Sequence, residues 1–459
     1  MLKQLLIIFV SILLPCTGGC AFDQSQPNIL FIFADDWGYG DLSCHGHPYV
    51  KTPNIDRLAE DGIEFTNFTV ASAICSPSRT GVLTGCFPAR FNVTDHFSTT
   101  ASNENRNQGD WVDPELVMLP RLLRQAGYAT AHFGKWHLSS ALSDAPVPNV
   151  YGYDEVAAFN SSAPRTPVHD DAKNAIAFIE KSHKEGKPFF INMWLHEPHT
   201  PFYTLPEYLE RFSDLDEADK IYASVLAHAD DRIGQVLDEL DRLGLKENTL
   251  VIFSSDNGPA GSGQKGGKII VDEATGIVEG HGPCMGTTGG RKGRKGTLWQ
   301  GGIGLPFIAR WPGKIPAGKV DEVSWISAVD LLPTFCEIAG VTLPQDYHPD
   351  GISQLATLTG EKAPLRKKPL FWKRQAIGKG AGTGADYAIL DGQWKLLASI
   401  DSEEVELYDV SIDPYEKHDV QKEHLELVME LVKKLEDWKA TLPAHPDPKC
   451  FSKERENSQ

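Results

Sequence analysis

Five short apolar runs punctuate the chain, over residues 28–34, 129–133, 189–195, 250–254 and 305–311. Each has the length of a strand. Between most of them apolar positions recur at helical spacing: Leu58-Ala59 with Ile63, Leu119 with Leu122 and Leu123, residues 175–179, and residues 225–240. Strands alternating with helices predict an α/β fold built on a large doubly wound, mainly parallel sheet with helices on both faces. In such sheets ligands sit beyond the carboxyl ends of the strands, so chemistry is to be sought there.

From about Pro344 the pattern changes. Residues 387–390, the turn pair Asp391-Gly392 and residues 394–400 predict a hairpin, and a helix over 423–442 carries Leu427, Leu431, Leu435 and Trp438 on one stripe. Residues 22–345 are therefore expected to form a catalytic α/β domain, and residues 346–459 a smaller C-terminal α+β domain with an antiparallel sheet. Residues 258–296, rich in Gly, Lys and Thr, predict one long loop of the functional or disordered kind.

The first residues, Met1-Leu2-Lys3-Gln4, an apolar run over 5–15 and Thr17-Gly18-Gly19, have the layout of a secretory signal peptide whose apolar run is too short to span a bilayer. Residues 1–21 are set apart from the fold accordingly. The mature protein is expected to be exported, periplasmic or secreted, with no transmembrane helix. Cys20 resembles a lipoprotein cleavage site except that Thr17 stands where Leu is usual, which leaves a lipid anchor at Cys20 as an alternative. With 44 basic and 62 acidic side chains the net charge is −18, so nucleic acid is not an expected partner. A polyanionic substrate has to be met by a local basic pocket. The mature cysteines, Cys44, Cys75, Cys86, Cys284, Cys336 and Cys450, match no zinc spacing and are too few for a disulfide framework.

Asp35-Asp36 follow the first apolar run and Asp256-Asn257 follow the fourth. Three carboxylates and an amide at strand ends supply the hard oxygens that suit Ca²⁺ or Mg²⁺, although such pairs also cap helices and start turns. Residues 75–85 read Cys-Ser-Pro-Ser-Arg-Thr-Gly-Val-Leu-Thr-Gly. Pro77 suits a helix's first turn, which puts Cys75 just before a helix N-terminus, where backbone amides favour an anion, with Arg79 adding a positive charge one turn on.

This string, Cys-x-Pro-x-Arg followed by Thr-Gly, resembles the signature of the type I sulfatases of the alkaline phosphatase superfamily, in which the Cys becomes Cα-formylglycine. The resemblance covers nearly the whole mature chain. It includes Thr52-Pro53-Asn54-Ile55-Asp56, Gly134-Lys135-Trp136-His137-Leu138, His196-Glu197-Pro198-His199-Thr200-Pro201, Ser255-Asp256-Asn257-Gly258, and Gly293-Arg294-Lys295-Gly296 leading to Trp311-Pro312-Gly313. It implies hydrolysis of sulfate monoesters, with a formylglycine-generating enzyme as a maturation partner and a metal, Ca²⁺ or else Mg²⁺, held by Asp35, Asp36, Asp256, Asn257 and the modified Cys75. It also implies that Arg79, Lys135 and Lys295 face the sulfate charge, that His199 with Lys295 protonates the departing oxygen, and that His137 deprotonates the second hydroxyl of the hydrated aldehyde. His196 is either a neighbour of the site or a core histidine.

The substrate implied is a sulfated carbohydrate of the N-acetylgalactosamine-6-sulfate or galactose-6-sulfate type, from residues 38–47, 88–111 and the Ser76-Pro77-Ser78 turn. Where the family often carries Glu-Gly-Gly-x-Arg-x-Pro, this chain has Gln300-Gly301-Gly302-Ile303-Gly304-Leu305-Pro306. A carboxylate and an arginine beside the Lys295 wall are thus replaced. In the run Arg291-Lys292-Gly293-Arg294-Lys295, the residues Arg291, Lys292 and Arg294 are expected to form a solvated charged loop. Two other readings stay open: a formylglycine-dependent phosphodiester or phosphonate monoester hydrolase, and a non-catalytic protein that binds sulfated glycans.

Overall fold

Strand β1 (Asn28–Ala34) is buried along its whole length, which is why its sequence is continuously apolar and not alternating. Ile29, Phe31 and Phe33 enter one hydrophobic cluster, and Leu30, Ile32 and Ala34 enter the other on the opposite face. The computed structural model describes residues 26–160, 170–261, 268–272, 276–361, 366–375, 385–399 and 404–456. The leader, with Cys20, lies outside the described residues, as does the end of the expected hairpin at Ile400.

The other strands of the main sheet are β2 (Ile63–Phe65), β3 (Ala129–Lys135), β4 (Glu155–Phe159), β5 (Phe189–Trp194), β6 (Thr249–Ser255), β7 (Phe307–Arg310) and β8 (Lys319–Asp321). Their order is β8-β2-β7-β6-β1-β5-β3-β4. Only β7 pairs antiparallel with its neighbours, so the fifth apolar run runs against the rest of a mainly parallel sheet. Helices cover both faces. Helices α1 (Pro53–Glu60), α4 (Asp171–Glu185) and α5 (Glu217–Arg242) bury Leu58, Phe178 and Leu237 in one cluster; α2 (Cys75–Thr84), α3 (Leu119–Gln125) and α6 (Leu331–Ile338) bury Leu83, Leu122 and Phe335 in the other.

The stretch expected as one long loop contains a hairpin, Lys268–Val271 with Val278–His281, which adds Phe202–Thr204 as a third strand. These four-residue strands were too short to register as a period against the surrounding glycines. Toward the C-terminus, β9 (Leu370–Lys373), β10 (Tyr387–Asp391), β11 (Trp394–Ala398) and β12 (Val405–Asp409) form a separate antiparallel sheet backed by α7 (Leu425–Lys439). Its Trp372, Ile389, Leu396 and Leu431 belong to the same cluster as Phe335 of the main sheet's face. The tail then returns: Asp110 N donates to Cys450 O at 2.7 Å, Ser452 N to Asp110 Oδ2 at 2.9 Å, and Arg455 pairs with Asp110 at 3.2 Å.

Gly134, at the end of β3, has φ of 102°, and a Cβ there would lie 2.0 Å from Trp194 O of the paired strand. Only glycine permits both the left-handed backbone and that approach. Gly134→Ala is expected to lower stability by about 1–3 kcal/mol, read as a fall in the urea midpoint. A midpoint equal to that of the parent protein would show that the strand end relaxes at no cost.

Candidate active site

Four adjacent parallel strands, β6, β1, β5 and β3, end at one edge of the sheet, and each delivers side chains there. From β1 come Asp35 and Asp36, from β6 Asp256 and Asn257, from β3 Lys135 and His137, and from β5 His196 and His199. Helix α2 begins on Cys75 itself, one residue earlier than the sequence implies, and all ten of its residues are buried. The strand ends are tied to one another by Asp35 N to Glu197 O at 3.1 Å, Asp256 N to Ala34 O at 3.0 Å and Trp37 N to Ser255 Oγ at 2.9 Å. Asp36 and His137 adopt left-handed φ values of 68° and 53°, a conformation costing a non-glycine residue about 1–3 kcal/mol, which the surrounding bonds must hold.

Arg79 donates Nε and Nη2 to Asp256 Oδ2 at 3.0 and 2.7 Å and Nη1 to Lys135 O at 2.9 Å, and its guanidinium carbon lies 5.0 Å from the Trp194 ring centre. Lys135 Nζ donates to Asp35 Oδ2 and Lys295 Nζ to Asp36 Oδ1, while Asn257 Nδ2 donates to Asp36 Oδ1 at 2.6 Å. Burial alone would raise the Asp35 carboxyl, but Lys135 above all, then His199, Arg79 and Lys295, hold it well below the usual carboxylate range. For Asp36 burial prevails over Lys295 and the carboxyl is raised. Burial opposes the charge of Lys295, yet Asp36, Cys75, Asp35 and Asp256 together raise the ammonium above its ordinary value.

Two buried oxygens, Asp35 Oδ1 and Asn257 Oδ1, have no hydrogen-bond partner among the described residues. Ligand atoms of Asp35, Cys75 and Asp256 lie within 4.8 Å of one another. Orphaned oxygen acceptors among carboxylates fit a hard divalent cation. Asp35, His196 and His199 form a second such group, which shares Asp35 with the first.

The histidines differ in what their second nitrogen can do. His137 Nε2 lies 3.0 Å from Phe97 O; a carbonyl only accepts, so Nε2 carries the proton and the buried Nδ1, unpartnered among the described residues, is a lone pair. Burial and then Lys135 hold His137 well below the usual histidine range. His199 Nδ1 donates to Thr200 O at 2.6 Å, leaving Nε2 4.0 Å from Asp36 Oδ2. Burial, then Lys135, holds it low as well. His196 is buried beside this ring, its Nε2 2.9 Å from Pro201 O.

The basic run is not a solvated loop. Arg291 lies 3.6 Å from the Tyr39 ring centre and donates to Thr66 O at 3.0 Å. Arg294 donates to Ala260 O and Gly286 O, and Lys292 Nζ to Glu406 and Tyr408. The run's charge goes to backbone carbonyls, the Tyr39 ring and Glu406 of β12, and Lys295 alone of the run meets Asp36. Trp194 under Arg79, and the rim pair Asp95–His96 with its ring centre 6.3 Å from that of His137, were not singled out in the sequence. A tryptophan in an apolar strand and an isolated Asp-His pair carry no local signal of partnership across the sheet.

A Sulfatase family model matches residues 27–341, and a model described as N-sulphoglucosamine sulphohydrolase, C-terminal, matches residues 294–441. The N-acetylgalactosamine-6-O-sulfatase of Bacteroides thetaiotaomicron is 29% identical, over 91% of this chain and 94% of that protein. The N-acetylgalactosamine-6-sulfatase of Homo sapiens is 31% identical, over 78% of this chain and 70% of that one. Among solved structures, Ps i-CgsB in complex with k-i-k-neocarrahexaose aligns with a TM-score of 0.77 at 27% identity, covering 92% of this chain and 96% of that one. The phosphonate monoester hydrolase of Agrobacterium radiobacter, at 22% identity and a TM-score of 0.63 over 90% of this chain and 96% of that one, shares the fold. Because the family match runs from the first strand through every residue gathered at the carboxyl edge, the chain belongs to the sulfatase family and is a sulfuric ester hydrolase.

Proposed function

We propose that this enzyme removes sulfate from a sulfated carbohydrate of the N-acetylgalactosamine-6-sulfate or galactose-6-sulfate type, using Cys75 converted to formylglycine together with a divalent metal. The observation that carries this reading is Cys75 at the first turn of α2, its sulfur grouped with Asp35 and Asp256 and facing the charges of Lys135 and Lys295. The names of the relatives in Bacteroides and mammals support the class of sugar.

A divalent cation held by Asp35, Asp36, Asp256 and Asn257 would offset the sulfate charge and acidify the attacking hydroxyl. Arg79 spends its donors on Asp256 and the Lys135 carbonyl, so its part is to fix the ligands in place. Lys135, buried and charged, binds the sulfate oxygens. His137 has the lone pair a base requires, and its low basicity keeps it neutral until a proton reaches it. His199 and Lys295 flank Asp36 from two sides and serve the alcohol oxygen as it leaves: Lys295 carries a proton at rest, and His199, neutral at rest with Nε2 a lone pair, has to take one up before it can pass it on. A phosphorus ester substrate shares these needs, but the relatives at 30% identity or more carry sulfatase names.

Active protein is expected to show formylglycine at position 75 by peptide mass spectrometry and to release sulfate from a 6-sulfated galactosamine or galactose while leaving phosphonate monoesters intact. Full activity with only unmodified cysteine would refute the nucleophile, and preference for the phosphonate would refute the substrate class. Cys75→Ala should abolish turnover with the fold retained.

An all-oxygen set of protein donors predicts Ca²⁺ or Mg²⁺ in elemental analysis and loss of activity on chelation, restored by either ion. Stoichiometric zinc, or activity indifferent to both chelation and Asp256→Ala, would count against the site.

His199→Ala should slow a sugar sulfate about a hundred- to ten-thousand-fold while sparing an activated aryl sulfate, whose oxygen departs unaided. Lys135→Ala should harm both by similar factors. Equal losses for His199→Ala would move the acid role to Lys295.

A further inference from the structure

Lys295 lies on a segment without regular secondary structure. No helix or strand occurs between His281 and Gln300, and the residues Gly293 and Gly296 on either side of Lys295 have left-handed φ of 81° and 83°. Proton assistance needs the ammonium fixed to within a fraction of an ångström, since a misplacement of about 1 Å is worth a hundredfold in rate. The carboxylate and arginine that the family pattern places at 300 and 304 are replaced here. Gln300 is buried, with both side-chain polar atoms lacking a partner among the described residues. A Cβ at Gly304 would lie 2.5 Å from Arg291 Nη1, so the guanidinium of Arg291 already fills the space beside that position.

The main unit holds this segment through Lys295 N to Pro259 O at 3.1 Å and Gly296 N to Ala73 O at 2.9 Å, and the C-terminal unit holds it from the other side. Glu416 Oε2 accepts from Gln300 N at 2.6 Å, and its Oε1 accepts from Lys395 Nζ at 2.6 Å, with both side chains buried. Glu406 Oε2 accepts from Trp299 Nε1 at 2.7 Å and from Lys292 Nζ at 3.0 Å. Arg374 donates to Gly296 O, and Tyr415 O accepts from Lys292 N at 3.3 Å. Bonds from the C-terminal unit therefore reach the chain on both sides of Lys295, and the partners in that unit lie between residues 374 and 416.

We infer that the C-terminal unit helps position Lys295 for its part in leaving-group departure, and that Glu416, held in place by Lys395, is the positioning residue through which it does so. The inference rests on the assignment of Lys295 to the leaving group. Glu416 acts on Lys295 through the backbone, by way of its bond from Gln300 N.

The test uses the full, metal-loaded enzyme with formylglycine content measured in every sample. Glu416→Ala combined with Lys395→Met removes both members of the buried pair and leaves no unpaired charge; Trp299→Phe deletes only the Nε1–H bond to Glu406 and is a milder cut at the same brace. On a sugar sulfate, kcat should fall by about tenfold to a hundredfold in the double variant, with KM changed by less than about threefold. On an activated aryl sulfate kcat should stay within about threefold. Glu416→Gln, which keeps an acceptor for Gln300 N, should recover much of the loss, and Trp299→Phe should shift the ratio in the same sense. Equal losses on both substrates in the folded variants, or no loss in either, would overturn the brace while leaving the proposed function standing if Lys295→Ala is itself selective for the sugar sulfate. A Lys295→Ala that harms both substrates equally would overturn the brace together with the leaving-group role of Lys295 on which it rests.

Discussion

Asp35, Asp256, Arg79 and Lys135 are withdrawn from water together, each with no measurable exposure. Moving an ion into such surroundings costs several kcal/mol, and deleting one member of a buried pair costs about 3–5 kcal/mol because its partner is left unanswered. Strand ends, helix start and loop are therefore constrained jointly. The Arg79 guanidinium meets Asp256, a backbone carbonyl and the face of Trp194, so three separate strands and α2 have to arrive in one register. A polar network of this kind tolerates no slack, and it sits where a fully parallel set of strand ends can deliver it.

How much of this was legible in the sequence depended on how local the signal was. Runs such as 28–34 and 250–254 announce strands because burial on both faces forces unbroken apolar sequence, and the motif around Cys75 announces itself through Pro77, Arg79 and the family resemblance. Short strands left no period of their own to read: Ile63, which starts β2, was joined by its spacing to the helix before it, and the edge strand Lys319–Asp321 has three residues. The reversal of β7 was also hidden, because strand direction follows from chain connections and not from residue pattern. At the site, the carboxylates and cations could be named, but not that Arg79 would be used up on ligands, nor that the basic run around Arg291 would be turned inward. Those outcomes depend on partners, such as Tyr39 or Glu406, distant along the chain.

A net charge of −18 and a site for an anionic ester are reconciled at the site itself. The side-chain cations Arg79, Lys135 and Lys295 are matched by Asp35, Asp36 and Asp256, so the positive excess that meets an anionic ester would be that of the proposed divalent cation.

The return of the tail to Asp110 has a mechanical meaning. The C-terminal unit leaves the main sheet ahead of β9 and is fastened to it again through Cys450, Ser452 and Arg455, with Lys453 N also bound to Asp144 at 2.8 Å. Hinge closure needs a body anchored along one side so that the other can swing. A body pinned at both ends behaves as a clamped beam: it can shear slightly but cannot open like a jaw. Swinging the C-terminal unit away therefore requires the bonds at Asp110 and Asp144 to break first.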